Sequence, residues 1–281
     1  MGGRFRVGVV FSVLDPAGSG AARELLRLLD SKPVPIPRAI EAYYIPQLDA
    51  VLAGFEEDVL YFEFLDEVLD VDFYVVLSRH KSEAGVKSLT THHPGNPVRE
   101  AKAGGKPLEL PPSNPPLTKA LLLSLIKARE ELGLEEFDVT YEVTHHGPTS
   151  LSKPITFVEI GSSLKEWSLR EARLALAVAV LEALTRTLPG YEPVVGIGGN
   201  HYAGRFTQRA LSSSEAYGHM VAKYALRNLQ LPDLVERVVE LAVTRSSTPT
   251  AKLVVEKKVR RVWRDAVKRV AERLGVAVEF I

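Results

Sequence analysis

Thr144-His145-His146-Gly147-Pro148-Thr149 sets two imidazoles side by side, and Glu159 follows within the apolar run Ile155 to Ile160. Two imidazoles and a carboxylate at neighbouring strand ends are the usual material of a metal-hydroxide or acid/base site. The competing reading is a polar loop with Glu159 in an ordinary salt bridge. Adjacent residues of an extended strand point to opposite faces, so His145 and His146 share a pocket only if the chain has already begun to turn. A second pair, His92-His93, carries the same punctuation in Pro94-Gly95. His80 stands in Ser78-Arg79-His80-Lys81-Ser82, where Arg79 and Ser82 join it past the apolar run Phe73 to Leu77. His201 marks the tip of a glycine-dense bend, Gly196 to Gly204, and His219 lies in Ala216 to Val221.

All seven histidines thus fall at strand-loop junctions or short strands, which supports a His-rich pocket at one edge of a sheet. The chain has no cysteine, so any metal must sit on His, Asp or Glu, and zinc suits neutral imidazoles with a carboxylate. There is no HExxH, which excludes a helical zincin site, and the spacing leaves open which residues ligate.

The elements that must position these groups follow from period and punctuation. Phe137 to Val143 alternates like a strand delivering His145 and His146; Ile155 to Ile160 is a second strand, and Gly161-Ser162-Ser163 a turn that opens a helix with free backbone N–H groups. Phe5 to Phe11 is a buried strand, followed by the loop Asp15 to Gly20 and a helix through Leu25 and Leu29. That loop lacks the Walker lysine and a full GxGxxG, so loop and cap is preferred to a phosphate cradle. Val59 to Phe62 and Phe73 to Leu77 read as strands, with a short helix from Phe64 to Leu69 between them. Residues 94–116 form a long Pro/Gly-rich loop; Thr118 and Ser168 are expected to cap amphipathic helices. Pro193 to Ile197 and Val276 to Phe280 are strands, and helices cover Leu234 to Ala242 and Val259 to Leu274. The alternation predicts an α/β fold of three layers, α/β/α, around a mixed sheet, in one domain spanning 1–281.

With 281 residues, 46% of them hydrophobic, and no apolar run of membrane-spanning length, the chain reads as soluble, and without a signal segment as cytoplasmic. Formal net charge is zero, yet Glu41 to Phe73 holds ten acidic residues and no Lys or Arg, while Lys252 to Arg273 holds nine basic residues. Such a basic end suits phosphates or is simply a solvated helix face.

Ser78-Arg79-His80, Leu89-Thr90-Thr91-His92 with Gly95-Asn96, THHGPT at 144–149, Glu159-Ile160-Gly161-Ser162-Ser163 with Trp167, Gly198-Gly199-Asn200-His201-Tyr202 and Gly218-His219 together resemble the archaeal and plant type of D-aminoacyl-tRNA deacylase. The resemblance runs in order over roughly residues 5 to 281, and its THHGPT and EIGSS blocks are the most specific. It implies hydrolysis of the ester between a D-amino acid and the 3′ end of tRNA, two zinc ions per subunit, and a fold like the phosphorylase/peptidyl-tRNA hydrolase group. The family pattern carries onto His80, His92, His145, His146, Glu159, His201 and His219. His93 departs from it and is treated as incidental, and Asn200 stands where a small residue such as Gly can occur.

On this reading His92, His145, His146 and His201 are the ligand pool, Glu159 is ligand or general base, and His80 or His219 shuttles protons or supports a ligand. Arg79, Gly161, Ser162, Gly199 and Asn200 face the substrate, while Lys257, Arg260 and Arg261, heading a basic helix to Arg273, hold the tRNA backbone. A monomer is expected. The competing classes are a zinc peptidase or amidohydrolase acting on small substrates, and a non-enzymatic RNA-binding protein.

Overall fold

The computed structural model describes residues 4–81, 85–186 and 189–281. Strands β1 (Phe5–Ser12), β2 (Lys32–Pro33), β3 (Glu41–Ile45), β4 (Ala50–Phe55), β5 (Val71–Lys81), β6 (Ser88–His92), β7 (Asp138–Tyr141) and β8 (Ile155–Ser162) form one sheet, ordered β2-β3-β4-β1-β5-β8-β6-β7. β4, β1, β5 and β8 run parallel; β3 joins β4, and β6 joins β8, antiparallel. The expected mixed sheet of an α/β fold is therefore present.

The central strands are apolar on both faces because both faces are covered. Val7, Val9, Phe11, Val75 and Leu77 pack beneath α1 (Pro16–Leu28), while Val10, Val76 and Phe157 turn the other way to Phe55, Phe62 and Phe64. A four-residue helix, α2 (Leu65–Val68), closes that second side. α3 (Pro115–Glu131), the short α4 (Leu164–Ser168) and α5 (Arg170–Thr185) follow in sequence, with α3 and α5 completing the layer on α1.

A second sheet goes beyond what the sequence pattern suggests. β9 (Glu192–Ile197), β10 (Glu215–Val221), β11 (Lys252–Val255) and β12 (Ala277–Phe280) run parallel in the order β10-β9-β11-β12. α7 (Lys223–Leu229), α8 (Pro232–Thr244) and α9 (Arg261–Leu274) cover one face, while Val194, Tyr217 and Val254 on the other meet Tyr141 at the end of β7 and Val143 just beyond it. α6 (Gly204–Ser212) packs in this seam through Phe206. Backbone bonds sew it: Val143 N–H donates to His201 O at 3.0 Å, Ala203 N–H to Tyr141 O at 2.9 Å, and Thr144 N–H to Met220 O at 2.9 Å.

Several local expectations are corrected. Val59 to Phe62 is a 3-10 turn started by Asp58, whose carboxylate accepts from Leu60 N, and not a strand. Asp15 caps α1 directly, so the Gly/Ser stretch is helix: a Cβ on Gly18 would meet Leu77 O at 2.3 Å. Asn114, followed by Pro115, starts α3, which frees Thr118 to bond His93. Ser168 ends α4 instead of capping α5, whose N-cap is Leu169. No helix among the described residues is long and apolar enough to cross a membrane.

Candidate metal centre and active site

The site grows out of an apolar stripe. On β5, Tyr74 and Val76 are core, and the same face continues two and four residues on as Ser78 and His80; on β8, Ile155 and Phe157 give way to Glu159. β6 brings Thr90 opposite Glu159 and His92 opposite Phe157. Three neighbouring strands thus place His80, Glu159 and His92 in one row near their ends. Ser78 Oγ–H donates to Glu159 Oε1 at 2.6 Å, and Trp167 Nε1–H anchors the backbone at His80 O at 3.1 Å.

β7 stops at Tyr141, and Glu142 next pairs with Tyr202 of the β9–α6 loop. Its side chain, 0% exposed, lies between three imidazoles: His80 Nδ1 at 3.2 Å, His201 Nε2 at 3.1 Å and His145 Nε2 at 3.5 Å. His146 takes φ of 52°, a left-handed turn that lets both members of the pair face inward. His145 Nδ1–H donates to Val143 O at 2.8 Å and His146 Nδ1–H to Gly147 O at 2.6 Å, which leaves each Nε2 as a lone-pair donor. His146 Nε2 lies 3.1 Å from His92 Nε2.

Three overlapping donor groups result. His92, His145 and His146 form one, His80, Glu142 and His201 another, and His92, Glu142 and Glu159 a third, with donor atoms of each group within 4.8 Å of one another. Both Glu142 oxygens, His201 Nε2 and His92 Nδ1 are buried without a hydrogen-bond partner. Buried polar atoms normally find partners, so four orphans at one spot fit a cation better than they fit each other.

Burial disfavours charge throughout. It pushes the His80, His92 and His145 pKa values down, and that of His146 to about 4, so the imidazoles are neutral, as metal ligands must be. Burial also opposes ionisation of Glu142, but the 3.1 Å contact with His201 and the nearby His145 and His80 rings outweigh it and bring its carboxyl to about 2. Glu159 goes the opposite way, raised well above the carboxylate range by burial and then by the negative charge of Glu142. Two neighbouring carboxyls driven apart in this manner divide into an anion and a proton carrier.

The cluster opens into a cavity of about 340 Å3 lined by Arg79, His80, Ala103, His145, His146 and His201, among others. Arg79 sits at its rim, paired with Asp58 at 3.0 Å and stacked over Trp167.

Sequence reasoning placed His80, His92, His145, His146, His201 and Glu159 in one cleft, and the structure brings them together. It missed Glu142; an acid within the apolar run Tyr141 to Val143, three residues before His145, was the available signal. His219 stands apart: fully buried, it donates Nε2–H to Pro111 O at 2.8 Å and accepts at Nδ1 from Thr144 Oγ1 at 3.0 Å, beside His93. Gly161 and Ser162 remain in β8 rather than in a turn, and the helix start after them is closed by a reciprocal cap between Ser163 and Glu166. Gly199 turns the chain with φ of 77°, and Asn200 is exposed beside His201. Lys257, Lys258, Arg260 and Arg261 are exposed ahead of and at the start of α9, but Arg269 and Arg273 further along are engaged by Glu236 and Glu240 of α8. Ser82 lies outside the described residues.

Comparison with known proteins agrees with these motifs. The family model for D-aminoacyl-tRNA deacylase matches residues 67–279. A D-aminoacyl-tRNA deacylase of Aeropyrum pernix is 41% identical over 98% of this chain and 100% of its own length, and one of Desulfurococcus amylolyticus is 46% identical over 90% and 91%. A crystal structure of a conserved protein of unknown function, AF0625, superposes with a TM-score of 0.87 at 33% identity, covering 100% of this chain and 96% of that one. Motifs, fold and coverage together place the chain in the D-aminoacyl-tRNA deacylase family.

Proposed function

We propose that this chain hydrolyses the ester joining a D-amino acid to the 3′ end of tRNA, and that its histidine and glutamate cluster holds two zinc ions for the purpose. The activity for which its relatives are named supports the substrate; the observation that supports the metal is Glu142, a buried anion with both oxygens unpartnered amid three imidazoles. His92, His145 and His146 would hold one ion, and His80, Glu142 and His201 the other. Bound zinc lowers the pKa of a coordinated water towards neutrality and polarises a carbonyl.

The chain's own groups do the rest. Val143 O and Gly147 O fix the tautomers of His145 and His146 so that each offers Nε2. Glu159 keeps its proton closer to neutral pH than an ordinary carboxyl and takes the acid/base role, oriented by Ser78. Tyr202 OH lies 3.1 Å from His80 Nε2 and holds that ring against Glu142. Arg79, which lines the cleft, would receive the substrate together with Gly199 and Asn200 next to His201, and Lys257, Arg260 and Arg261 would contact its phosphates.

The test is hydrolysis of D-Tyr-tRNA and L-Tyr-tRNA before and after chelation. The D-ester is cleaved and the L-ester spared, chelator stops the reaction, and zinc restores it. Reversing the charges of Lys257, Lys258, Arg260 and Arg261 raises KM for the tRNA about tenfold. Cleavage of small amides with both tRNA esters left intact would point to a peptidase instead.

A further inference from the structure

A second hollow, of about 360 Å3, lies beyond the histidine turn, between the long loop, Thr149 to Leu151 and α8. Lys106, Arg237 and Arg245 line it, and Glu109 is the one carboxylate among its lining residues. The three cations are exposed, and none is paired with a carboxylate among the described residues, whereas the neighbouring Arg269 and Arg273 are engaged by Glu236 and Glu240. In a chain of zero formal net charge, three unpaired cations around one concavity create a local positive field suited to an anion.

Two stretches of backbone join this hollow to the catalytic cleft. Ala103 and His146 line the cleft, and Lys106 and Thr149 line the hollow. Each pair is three residues apart, so the openings lie within about 11 Å of each other along either path. The wall between them is fixed: Gly147 N–H donates to Ala103 O at 2.9 Å, Lys106 N–H to Thr149 Oγ1 at 2.9 Å, and Glu63 accepts from Thr149 N at 2.7 Å. Arg245 is held from the far side, its carbonyl accepting from Ser113 N at 3.0 Å and Ser113 Oγ at 3.1 Å.

We propose that this hollow binds a backbone phosphate in the single-stranded 3′ end of the tRNA whose ester occupies the cleft. The inference rests on the deacylase reading. A substrate that carries its reactive ester at the end of a polyanionic strand must lead phosphates away from the cleft, and this is a cationic concavity within reach. A phosphate site ignores base identity and amino-acid chirality, so it adds to binding of every tRNA without discriminating among them.

The test compares D-Tyr-tRNA with D-tyrosyl-adenosine, an ester without phosphate, in the wild-type chain and the Arg237→Glu/Arg245→Glu variant over a salt series. The ratio of kcat/KM for tRNA to that for the adenosine ester falls about tenfold in the variant, and the dependence of log kcat/KM on log salt becomes shallower by about 0.7 for each phosphate no longer held. Both esters cleaved at the wild-type ratio and salt slope overturns the phosphate site alone. Neither ester cleaved by the wild type overturns the deacylase reading and this site with it. Should the double variant lose its fold, seen as lost hydrolysis of the adenosine ester, Lys106→Glu reads the same ratio from an exposed loop position.

Discussion

Glu142 is the residue on which the proposed chemistry turns. A carboxylate at 0% exposure is tolerated only with compensating positive charge, and among the described residues no Lys or Arg pairs with Glu142, only imidazoles. Glu142→Gln keeps the shape and removes the proposed ligand anion; kcat/KM for D-Tyr-tRNA is expected to fall by about 100-fold or more with thermal stability retained. A variant within a few-fold of wild type would remove Glu142 from the site. Thr144 is the residue that aims the histidine pair, since its hydroxyl accepts from Met220 N at 3.1 Å and donates to His219 Nδ1 at 3.0 Å. Thr144→Val is expected to cost about 1–3 kcal/mol in urea unfolding, with Thr144→Ser recovering most of it. The histidines were legible from residue type and their Pro-Gly punctuation. Glu142 was not, because its role depends on His201 arriving from a distant loop.

At the scale of elements, strands with a strict two-residue period were legible, and so was the end of each at which a functional group emerges. β5 is the clearest case: Phe73 to Leu77 reads as buried, and Ser78 and His80 continue its face. What failed were segments whose local composition matched two structures. Val59 to Phe62 is β-prone by composition, but the Asp58 cap and the packing of Phe62 and Phe64 on Phe55 coil it. Gly18 looked like loop and is helix because α1 passes so close to β5 that no Cβ fits against Leu77 O. Gly18→Ala is therefore expected to destabilise the chain by about 1–3 kcal/mol in denaturant unfolding, although alanine is the better helix former; a stabilised variant would show that α1 can move away.

For the whole molecule, an α/β fold with a mixed sheet was legible, but the second parallel sheet was not, because β9, β11 and β12 meet only across long stretches of chain. That sheet carries His201 to Glu142 and so completes the site. The seam between the sheets also buries His93 and His219, with pKa values lowered by burial to about 3 and about 4. Groups whose folded pKa lies below the unfolded value stabilise fully above about pH 6.5, and the unfolded chain takes up more protons below it. Thermal stability should hold from neutral pH down to about 6.5 and then decline steadily towards pH 4, a trend that melting curves over a pH series would check.

In the proposed mechanism, buried Glu142 and its imidazoles bind the metal on which ester hydrolysis depends. Equilibrium dialysis of metal-stripped chain against zinc, counting ions bound per chain in wild type and in Glu142→Gln, tests it most directly. Two ions are expected in the wild type and at least one fewer in the variant, with D-Tyr-tRNA hydrolysis returning only as the sites fill. A stripped wild-type chain that cleaves the D-ester at full rate with no zinc bound would contradict it.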